Sequence, residues 1–336
     1  MLQIMNPAHP SRGPFTGFAN VWTPVAFSSE VTTRPLSVRV AGTPVVLFRG
    51  ANGEPAALFD RCPHRGVALS LGKVREGCLE CPFHGWRFDG TGAAVEVPWN
   101  PDAKLERLHA TALPCREIGG QIWIYTAVSD AQVPQEGPAV ADVFTRPDVR
   151  VSGIRVEWNT HWTRAMENML DWPHLPFVHA ATIGKSMRSR TRSRMEVEWT
   201  ATPWGAESHI TIDGAREPAS LDLRWPNQMN LFLPVPKRTL VMAVACVPVD
   251  ETRTTLLLGM ARDFLKSALF DGFFHRTNLK IATEDRAVVE SSIPAKVPPP
   301  SEEKSVRTDA LPLHFRKRFY AELEPALTAS ASVRVA

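Results

Sequence analysis

Two short stretches of the chain each place a cysteine close to a histidine. Cys62 and His64 are one residue apart, Cys81 and His84 are two apart, and sixteen residues separate the pairs. Two thiolates and two imidazoles suit a structural zinc site or a [2Fe–2S] cluster whose second iron is bound by histidines. Zinc modules usually pair cysteine with cysteine and histidine with histidine. Because each stretch here carries one of each, the spacing favours the iron–sulfur cluster.

The residues around both pairs are typical of tight loops. A proline follows each cysteine, and Gly66 and Gly85 follow close behind the histidines, so backbone amides can turn toward the cluster sulfurs. Residues 62–66, Cys-Pro-His-Arg-Gly, and residues 81–86, Cys-Pro-Phe-His-Gly-Trp, resemble the Rieske family. The resemblance implies that Cys62 and Cys81 bind one iron of the cluster and that His64 and His84 bind the other.

A second stretch with metal-ligand chemistry runs from residue 167 to residue 179. Asp171 and His174 are three apart, near neighbours on one helical face. His174 and His179 are five apart, about 140° round a regular helix, so only a distorted helix would bring them together. Pro176 between them supplies that distortion. Taken alone, this spacing also fits ordinary core or surface histidines.

The two stretches together carry a more specific resemblance. Asn168-x-x-Asp171-x-x-His174-x-x-x-x-His179 resembles the mononuclear iron motif of the Rieske non-haem iron oxygenases, the ring-hydroxylating oxygenase family. That resemblance implies that His174 and His179 bind iron and that a carboxylate completes a 2-His-1-carboxylate site. It also implies that Asp171 carries electrons between subunits, by contacting His84 of a neighbouring subunit in a homotrimer.

The missing carboxylate is expected on a long helix from residue 268 to 292. Phe270, Phe274, Ile281 and Val288 form its predicted apolar stripe. Relative to Ile281, Asp285 lies about 40° away and Glu284 about 60° away on the other side. The stripe leans toward Asp285, and Thr283-Glu284-Asp285 resembles the ligand helix of the family, in which the second acid binds iron. We therefore predict Asp285 as the ligand, with Glu284 as the open alternative.

The patterns around these motifs predict an α+β chain of two domains. Short strands separated by turn signals indicate an all-β Rieske [2Fe–2S] domain at 15–130. Residues 131–149, rich in proline, read as a connection. A strand at 150–158, a helix at 160–170 and alternating strands from 195 to 260 follow. This order matches the helix-grip catalytic domain, an antiparallel sheet with helices, that the resemblance implies for 150–330.

Composition restricts the class of protein further. A net charge of +3 over 336 residues gives no reason to expect a nucleic-acid partner. The longest apolar run, Leu240–Val249, is far shorter than the ~20 residues of a membrane span, and the first residues lack the features of a secretion signal. Five cysteines, of which Cys78, Cys115 and Cys246 are expected to be free thiols, favour a cytoplasmic location.

The resemblance implies the oxygenase component of a multicomponent Rieske system. Electrons would come from a ferredoxin or flavin reductase, since the sequence carries no dinucleotide fingerprint. Mononuclear Fe(II) would activate O2 to hydroxylate or oxidatively demethylate a small aromatic or polycyclic substrate. The chain length is similar to the group that contains vanillate demethylase. The alternatives are an aliphatic or alkaloid ring hydroxylase, a cis-dihydroxylating dioxygenase, or, outside the family, an electron carrier without catalysis.

The second cluster loop also predicts a redox potential. High-potential Rieske proteins resemble one another in carrying Ser and Tyr two and four residues after the second histidine, where hydroxyls bond to the cluster and raise its potential. Here these positions are Trp86 and Phe88. Neither offers a hydroxyl, and the Trp86 ring is expected to pack under the loop. We therefore predict a potential at the low end of the Rieske range.

Overall fold

A computed structural model describes residues 14–126 and 136–324 of the chain. The chain divides between Pro138 and Ala139 into two compact units. The predicted ranges 15–130, 131–149 and 150–330 all include positions outside the described residues, so those boundaries stay a proposal. The α+β class is confirmed, because the first unit contains β-sheets and the second combines one sheet with helices.

The N-terminal unit is built from eleven short strands among its described residues. They are β1 (Trp22–Phe27), β2 (Leu36–Val40), β3 (Thr43–Arg49), β4 (Pro55–Phe59), β5 (Lys73–Arg75), β6 (Cys78–Glu80), β7 (Arg87–Phe88), β8 (Ala94–Glu96), β9 (Ala112–Leu113), β10 (Cys115–Ile118) and β11 (Gln121–Tyr125). They form three antiparallel sheets of order β1-β11-β10, β2-β3-β4-β9 and β5-β6-β7-β8. The predicted hairpin after the second cluster loop is β7 with β8.

One antiparallel sheet of seven strands forms the body of the C-terminal unit. Its strands are β12 (Arg150–Trp158), β13 (Met195–Thr202), β14 (Gly205–Ile212), β15 (Ala215–Arg224), β16 (Gln228–Phe232), β17 (Leu240–Pro248) and β18 (Thr254–Arg262). The spatial order is β12-β18-β17-β16-β15-β14-β13, so the first strand of the unit closes one edge beside the last. β17 and β18 are almost entirely buried, as their continuous apolar sequence predicts.

Four helices accompany this sheet. They are α1 (Trp162–Leu170), α2 (Leu175–Val178), α3 (Asp271–Glu290) and α4 (Ala310–Glu322). The predicted buried side of α1 is confirmed, since Trp162, Ala165, Met166 and Met169 are all buried. The helix begins two residues later than predicted, because the His161 side chain caps it by accepting a hydrogen bond from the backbone N–H of Thr163.

The buried stripe of α3 differs from the predicted one. Phe270 lies before the helix and is 40% exposed, and Val288 is 52% exposed, so the prediction was wrong for both. The observed stripe is Phe274, Asn278, Ile281, Ala282, Asp285 and Val289. Its centre lies about 50° from Ile281, on the Asp285 side. The positions of the apolar residues alone did not reveal this shift, because the buried face also contains the polar residues Asn278 and Asp285 and the small residue Ala282.

Ion pairs fix the beginning of α3 to the sheet. Asp271 opens the helix and accepts hydrogen bonds from Arg150 of β12 and from Arg262 of β18, at 2.9 Å and 2.6 Å to its Oδ1. The side chain of Arg262 is fully buried and also stacks on Phe274, with 4.2 Å from its guanidinium carbon to the ring centre. The hydrogen bond from Arg150, partly opposed by burial and reinforced by Arg262, lowers the pKa of the Asp271 carboxyl. None of the helices in the described ranges is long and apolar enough to cross a membrane.

Replacing Asp271 by Asn should destabilise the C-terminal unit by about 3 kcal/mol, because Arg262 would be left buried without a counter-charge. A carboxyl whose pKa is lower in the folded state stabilises at neutral pH and loses that effect as the pH falls. The loss of stability of Asp271→Asn relative to wild type should therefore be largest near pH 7 and become smaller as the pH falls. Calorimetry across this range measures it.

Asp148→Asn is the matched control, since Asp148 pairs with Arg146 at the surface and such pairs contribute little. Equal melting temperatures for Asp271→Asn and Asp148→Asn would show that Asp271 does not anchor the helix.

Candidate metal centres

The two cysteine–histidine stretches of the N-terminal unit fold as matching loops. In the first, the Cys62 N–H donates to the Val67 carbonyl (2.8 Å) and the Gly66 N–H to the Cys62 carbonyl (2.9 Å). In the second, the Cys81 N–H donates to the Trp86 carbonyl (2.8 Å) and the Gly85 N–H to the Cys81 carbonyl (3.1 Å). Each loop needs one residue with positive φ, and Gly66 (72°) and Gly85 (71°) supply it.

The loops bring their histidines and cysteines to one place. The His64 and His84 rings lie 4.7 Å apart between centres. Both cysteines are 2% exposed, and burial raises the pKa of the Cys62 thiol. A thiolate here therefore requires a nearby cation, and two such thiols beside two imidazoles suit a [2Fe–2S] cluster. Cys78 lies instead in β6, outside the pair of loops, and is only partly buried.

The first histidine is prepared for metal binding in two ways. Its Nδ1 is buried and has no hydrogen-bond partner among the described residues. Desolvation, followed by the charges of His84 and Arg65, lowers the pKa of His64 and favours the neutral imidazole that binds metals. Trp86 stacks on this ring, 4.6 Å away and 2° from parallel. The indole thus supports the histidine itself, a contact that the sequence did not specify.

The second site lies in the C-terminal unit around α2. His174 and His179 are the residues at the two ends of this four-residue helix, which contains Pro176. Their rings meet edge to face with centres 5.2 Å apart. The short helix explains how residues that a regular helix would separate come together. Ligand atoms of His174, His179 and Asp285 all lie within 4.8 Å of one another.

The carboxylate of Asp285 faces both histidines without being bonded to either. Its Oδ1 is 3.1 Å from Nε2 of His179 and 3.6 Å from Nε2 of His174. Nevertheless this oxygen is buried and has no hydrogen-bond partner among the described residues. Three ligand atoms that converge without bonding to one another fit a metal ion between them. Asp285, the acid chosen from the sequence, lies in this group.

The neighbouring acid, Glu284, holds the histidine from behind. Its Oε2 lies 2.8 Å from Nδ1 of His179 and accepts a hydrogen bond of 2.7 Å from the Thr182 hydroxyl. This contact directs Nε2 of His179 toward Asp285, the usual role of a carboxylate behind a metal-bound histidine. From the sequence, Glu284 was considered only as a possible iron ligand, and Thr182 was not singled out. The signal for Thr182 was its position three residues after His179.

Asp171 supports the other histidine in the same way. Its Oδ2 lies 3.1 Å from Nδ1 of His174 and accepts a hydrogen bond of 2.9 Å from the His174 backbone N–H. The Asp171 side chain is 25% exposed. Each predicted iron-ligand histidine therefore has a carboxylate on Nδ1 and points Nε2 at Asp285.

The charges in this site favour a bound cation. Burial alone would lower the pKa of His179, but the carboxylates of Asp285 and Glu284 outweigh it and raise that pKa. Burial alone would raise the pKa of Glu284, but the hydrogen bonds with His179 and Thr182 lower it. The pair therefore stabilises positive charge at His179, which a proton or a metal ion can supply.

Two protein families match separate parts of the chain. Residues 21–112 match the Rieske [2Fe-2S] domain, and residues 234–324 match the vanillate O-demethylase oxygenase C-terminal domain. The first range contains both cluster loops, and the second contains Asp285. These matches define an iron–sulfur domain followed by an oxygenase domain.

Individual relatives agree with this division. The chain is 30% identical over 270 residues to a chlorophyllide a oxygenase of Chlamydomonas reinhardtii, covering 74% of this chain but 39% of that protein. It is 28% identical to the dicamba O-demethylase oxygenase component of Stenotrophomonas maltophilia, covering 81% and 87%. NdmA of Pseudomonas putida CBB5 has a similar structure, with TM-score 0.74, 25% identity and coverage of 93% and 94%. The chain spans less than half the length of the chlorophyllide a oxygenases that it matches.

Together these findings place the chain in the Rieske non-haem iron oxygenase family. Within that family, the match of residues 234–324 is consistent with the vanillate-demethylase-like group. The predicted cofactors, a [2Fe–2S] Rieske cluster and a mononuclear non-haem iron, are confirmed as those of the family. The assignment of individual ligands in this chain stays a prediction, and mutagenesis can test it.

His174→Ala should remove the mononuclear iron and leave the cluster, because the two predicted sites share no residue. Metal analysis should show the loss of one iron per chain, while the visible and EPR signals of the cluster persist. Cys81→Ser is the converse variant, in which the cluster signal should be lost. Bleaching of the cluster by His174→Ala would contradict two separate sites.

Glu284→Gln should weaken iron binding about 10- to 100-fold, the usual effect of removing a carboxylate behind a metal-bound histidine. Iron affinity can be measured by competition with a chelator. Glu290→Gln, which changes an acid near the end of α3, is the control and should bind iron like wild type. An unchanged affinity in Glu284→Gln would exclude the supporting role.

Phe88→Tyr should raise the potential of the cluster by adding a hydroxyl beside it. Phe88 is fully buried in a cluster of core residues that includes Cys62 and Cys81, and hydrogen bonds to the sulfurs raise Rieske potentials. Phe27→Tyr adds a buried hydroxyl in β1 and should leave the potential unchanged. Protein-film voltammetry of both variants decides, and a wild-type potential in the quinol-oxidising range would refute the low-potential prediction.

Proposed function

We propose that this chain is the oxygenase component of a multicomponent system and that it uses O2 at a mononuclear iron to hydroxylate or oxidatively demethylate a small organic molecule. The observation that carries the proposal is the convergence of His174, His179 and Asp285, whose buried Oδ1 has no hydrogen-bond partner among the described residues. An electron carrier has no use for a second metal site of this kind. The iron would activate O2, for which a site with three protein ligands leaves coordination positions open.

The residues of the chain would orient and tune that iron. Asp171 and Glu284 fix the ring nitrogens of His174 and His179 that point inward. Asp285 supplies the negative charge, and its burial at 3% exposure keeps bulk water away from the charge. Apolar residues of β17 and β18 pack beside it, which suits an organic substrate.

Demethylation or monooxygenation is favoured over dihydroxylation by the match of residues 234–324 to the vanillate O-demethylase domain. Two relatives of similar length have names that describe demethylation, the dicamba O-demethylase and the methylxanthine N3-demethylase NdmB of Pseudomonas putida. The 3-chlorobenzoate-3,4-dioxygenase of Comamonas testosteroni also matches, so dihydroxylation is the second candidate. An aliphatic or alkaloid ring hydroxylase is a further alternative.

The partners we propose are a ferredoxin or flavin reductase and two further copies of the chain. The exposed His84 of one copy would approach Asp171 of the next, and the contact of Asp171 with His174 would complete a path to the iron. We propose a cytoplasmic location, in agreement with the free cysteines.

The reaction type can be tested with methoxyarenes, quaternary amines and polycyclic compounds in the presence of a generic reductase and NADH. Demethylation of a methoxyarene should consume one O2 and two electrons and release formaldehyde and water with the phenol. Dihydroxylation should consume O2 without formaldehyde. Cluster reduction without substrate-dependent O2 uptake in any of the three classes would favour the electron carrier.

Asp171→Asn should still hold both metals when iron is saturating and yet lose most of the activity, because it interrupts the proposed bridge and removes no metal ligand. In single-turnover experiments the cluster should accept an electron normally and then fail to pass it on. Asp142→Asn, an acid of the same unit remote from the motif in sequence, serves as the control. Normal electron transfer in Asp171→Asn, or full activity of a strictly monomeric protein, would refute the bridge.

A further inference from the structure

A narrow cavity lies beside Asp285 in the C-terminal unit, between α3 and the sheet. Apolar side chains form most of its wall, including Met169 of α1, Met242 and Val244 of β17 and Leu258 of β18. Its volume of about 30 Å³ is enough for a water molecule, which needs roughly 10–15 Å³, but far below the roughly 300–1,000 Å³ of ligand pockets. An organic ligand must therefore displace side chains, and the two methionines are suited to that because their unbranched chains adapt easily.

One polar side chain besides Asp285 reaches this cavity, that of Asn278. It is 3% exposed, and both its Oδ1 and its Nδ2 are buried without a hydrogen-bond partner among the described residues. Buried amides are nearly always hydrogen-bonded, because an unpaired donor and acceptor cost free energy. An apolar residue of similar size would remove that cost. The amide is therefore available for a ligand that both donates and accepts.

The helix places this amide in line with the iron ligand. Asn278 and Asp285 are seven residues apart and belong to the same buried stripe of α3, which separates them by about 10 Å along the helix axis. Ala282 lies between them on the same stripe. Its side chain is only a methyl group, so it leaves the space next to this face of the helix open. The cavity thus has one end at Asp285, where the reaction would occur, and a polar end at Asn278.

The wall of the cavity also lacks a basic side chain among its described lining residues. A substrate carboxylate at the polar end would consequently be desolvated without a counter-charge, which is unfavourable. An uncharged group with an adjacent donor and acceptor, such as an amide or lactam, would satisfy both atoms of Asn278 at once.

We propose that Asn278 determines substrate specificity by pairing with an amide-like edge of a neutral substrate whose oxidised group lies at the other end, next to Asp285. This inference rests on the proposed function, since it takes the cavity as the substrate site. Asn278 is a binding residue in this account and takes no part in the chemistry.

The test uses three ligands that differ at one end: 4-methoxybenzamide, 4-methoxybenzoate and 4-methylanisole. Calorimetric titration of the iron-loaded protein, without reductant, measures binding separately from turnover. Wild type should bind the benzamide at least tenfold more tightly than the other two. Asn278→Leu should weaken the benzamide about tenfold and leave 4-methylanisole within twofold. Preference of wild type for the benzoate, failure to bind the benzamide, or equal losses for benzamide and 4-methylanisole would overturn the proposal.

A stability measurement distinguishes binding from a structural role. Asn278→Leu removes an unpaired buried amide and should keep or raise the melting temperature. Asn230→Leu is the matched control, because Asn230 is also fully buried but donates a 2.7 Å hydrogen bond to Asp222, so its loss should lower the melting temperature. A comparable fall in Asn278→Leu would mean that the amide serves the fold and would overturn the proposal.

Failure of the specificity proposal and failure of the proposed function would show in different measurements. If the benzamide binds through Asn278 but no methoxyarene, quaternary amine or polycyclic compound stimulates O2 uptake with reductase present, the oxygenase assignment fails and the binding role stands. If O2 uptake responds to other methoxyarenes while the benzamide shows no dependence on Asn278, the specificity proposal fails and the oxygenase assignment stands.

Discussion

The arrangement of the C-terminal unit depends on the buried carboxylate of Asp285. Oδ1 of Asp285 has two histidine nitrogens within 3.6 Å but no hydrogen bond among the described residues. A buried negative charge is costly unless a cation or a set of donors compensates for it. The described residues that line the cavity beside it include neither a lysine nor an arginine. The proposed mononuclear iron would supply this compensation, and the fold holds its three candidate ligands close together.

To bring the two histidines and Asp285 together, the protein must fix two elements, α2 and α3, independently. The histidines are presented from the ends of the short helix α2, and their rings are oriented by Asp171 and Glu284. The aspartate comes from α3, which is anchored at its first residue, Asp271, by arginines of β12 and β18. Because β12 and β18 hold the first residue of α3, the sheet fixes both the rotation of this helix about its axis and its position along that axis. The same helix presents Asn278 to the cavity beside Asp285.

The N-terminal unit solves a related problem with loops. Each cluster loop closes by two backbone hydrogen bonds and one glycine with positive φ, so four ligands are presented without help from a helix. The cysteines are buried and the histidines lie toward the surface, with Trp86 stacked on His64. This arrangement suits electron transfer, since the iron that the resemblance assigns to the histidines would be the one closer to a partner protein.

Much of this followed from the sequence because the motifs are local. The cysteine–histidine spacings identified the cluster loops, and the residue pattern at 150–158 predicted strand β12 with the bounds that the structure has. Proline between His174 and His179 indicated a break from regular helix. In these cases the determining interactions lie within a few residues of one another, so neighbouring residue types contain the information.

Tertiary structure decided the contacts between segments distant in the chain. Sequence phase preferred Asp285 only narrowly and placed Val288 in the buried stripe, whereas packing against the sheet turned the helix so that Asn278, Ala282 and Val289 are buried. Glu284 acquired its role from His179, 105 residues earlier, and the pairing of Asp271 with Arg150 spans 121 residues. Such contacts depend on how the sheet closes and on which strand lies at its edge. Local propensity and periodicity do not contain that information, because it arises only when the whole unit packs.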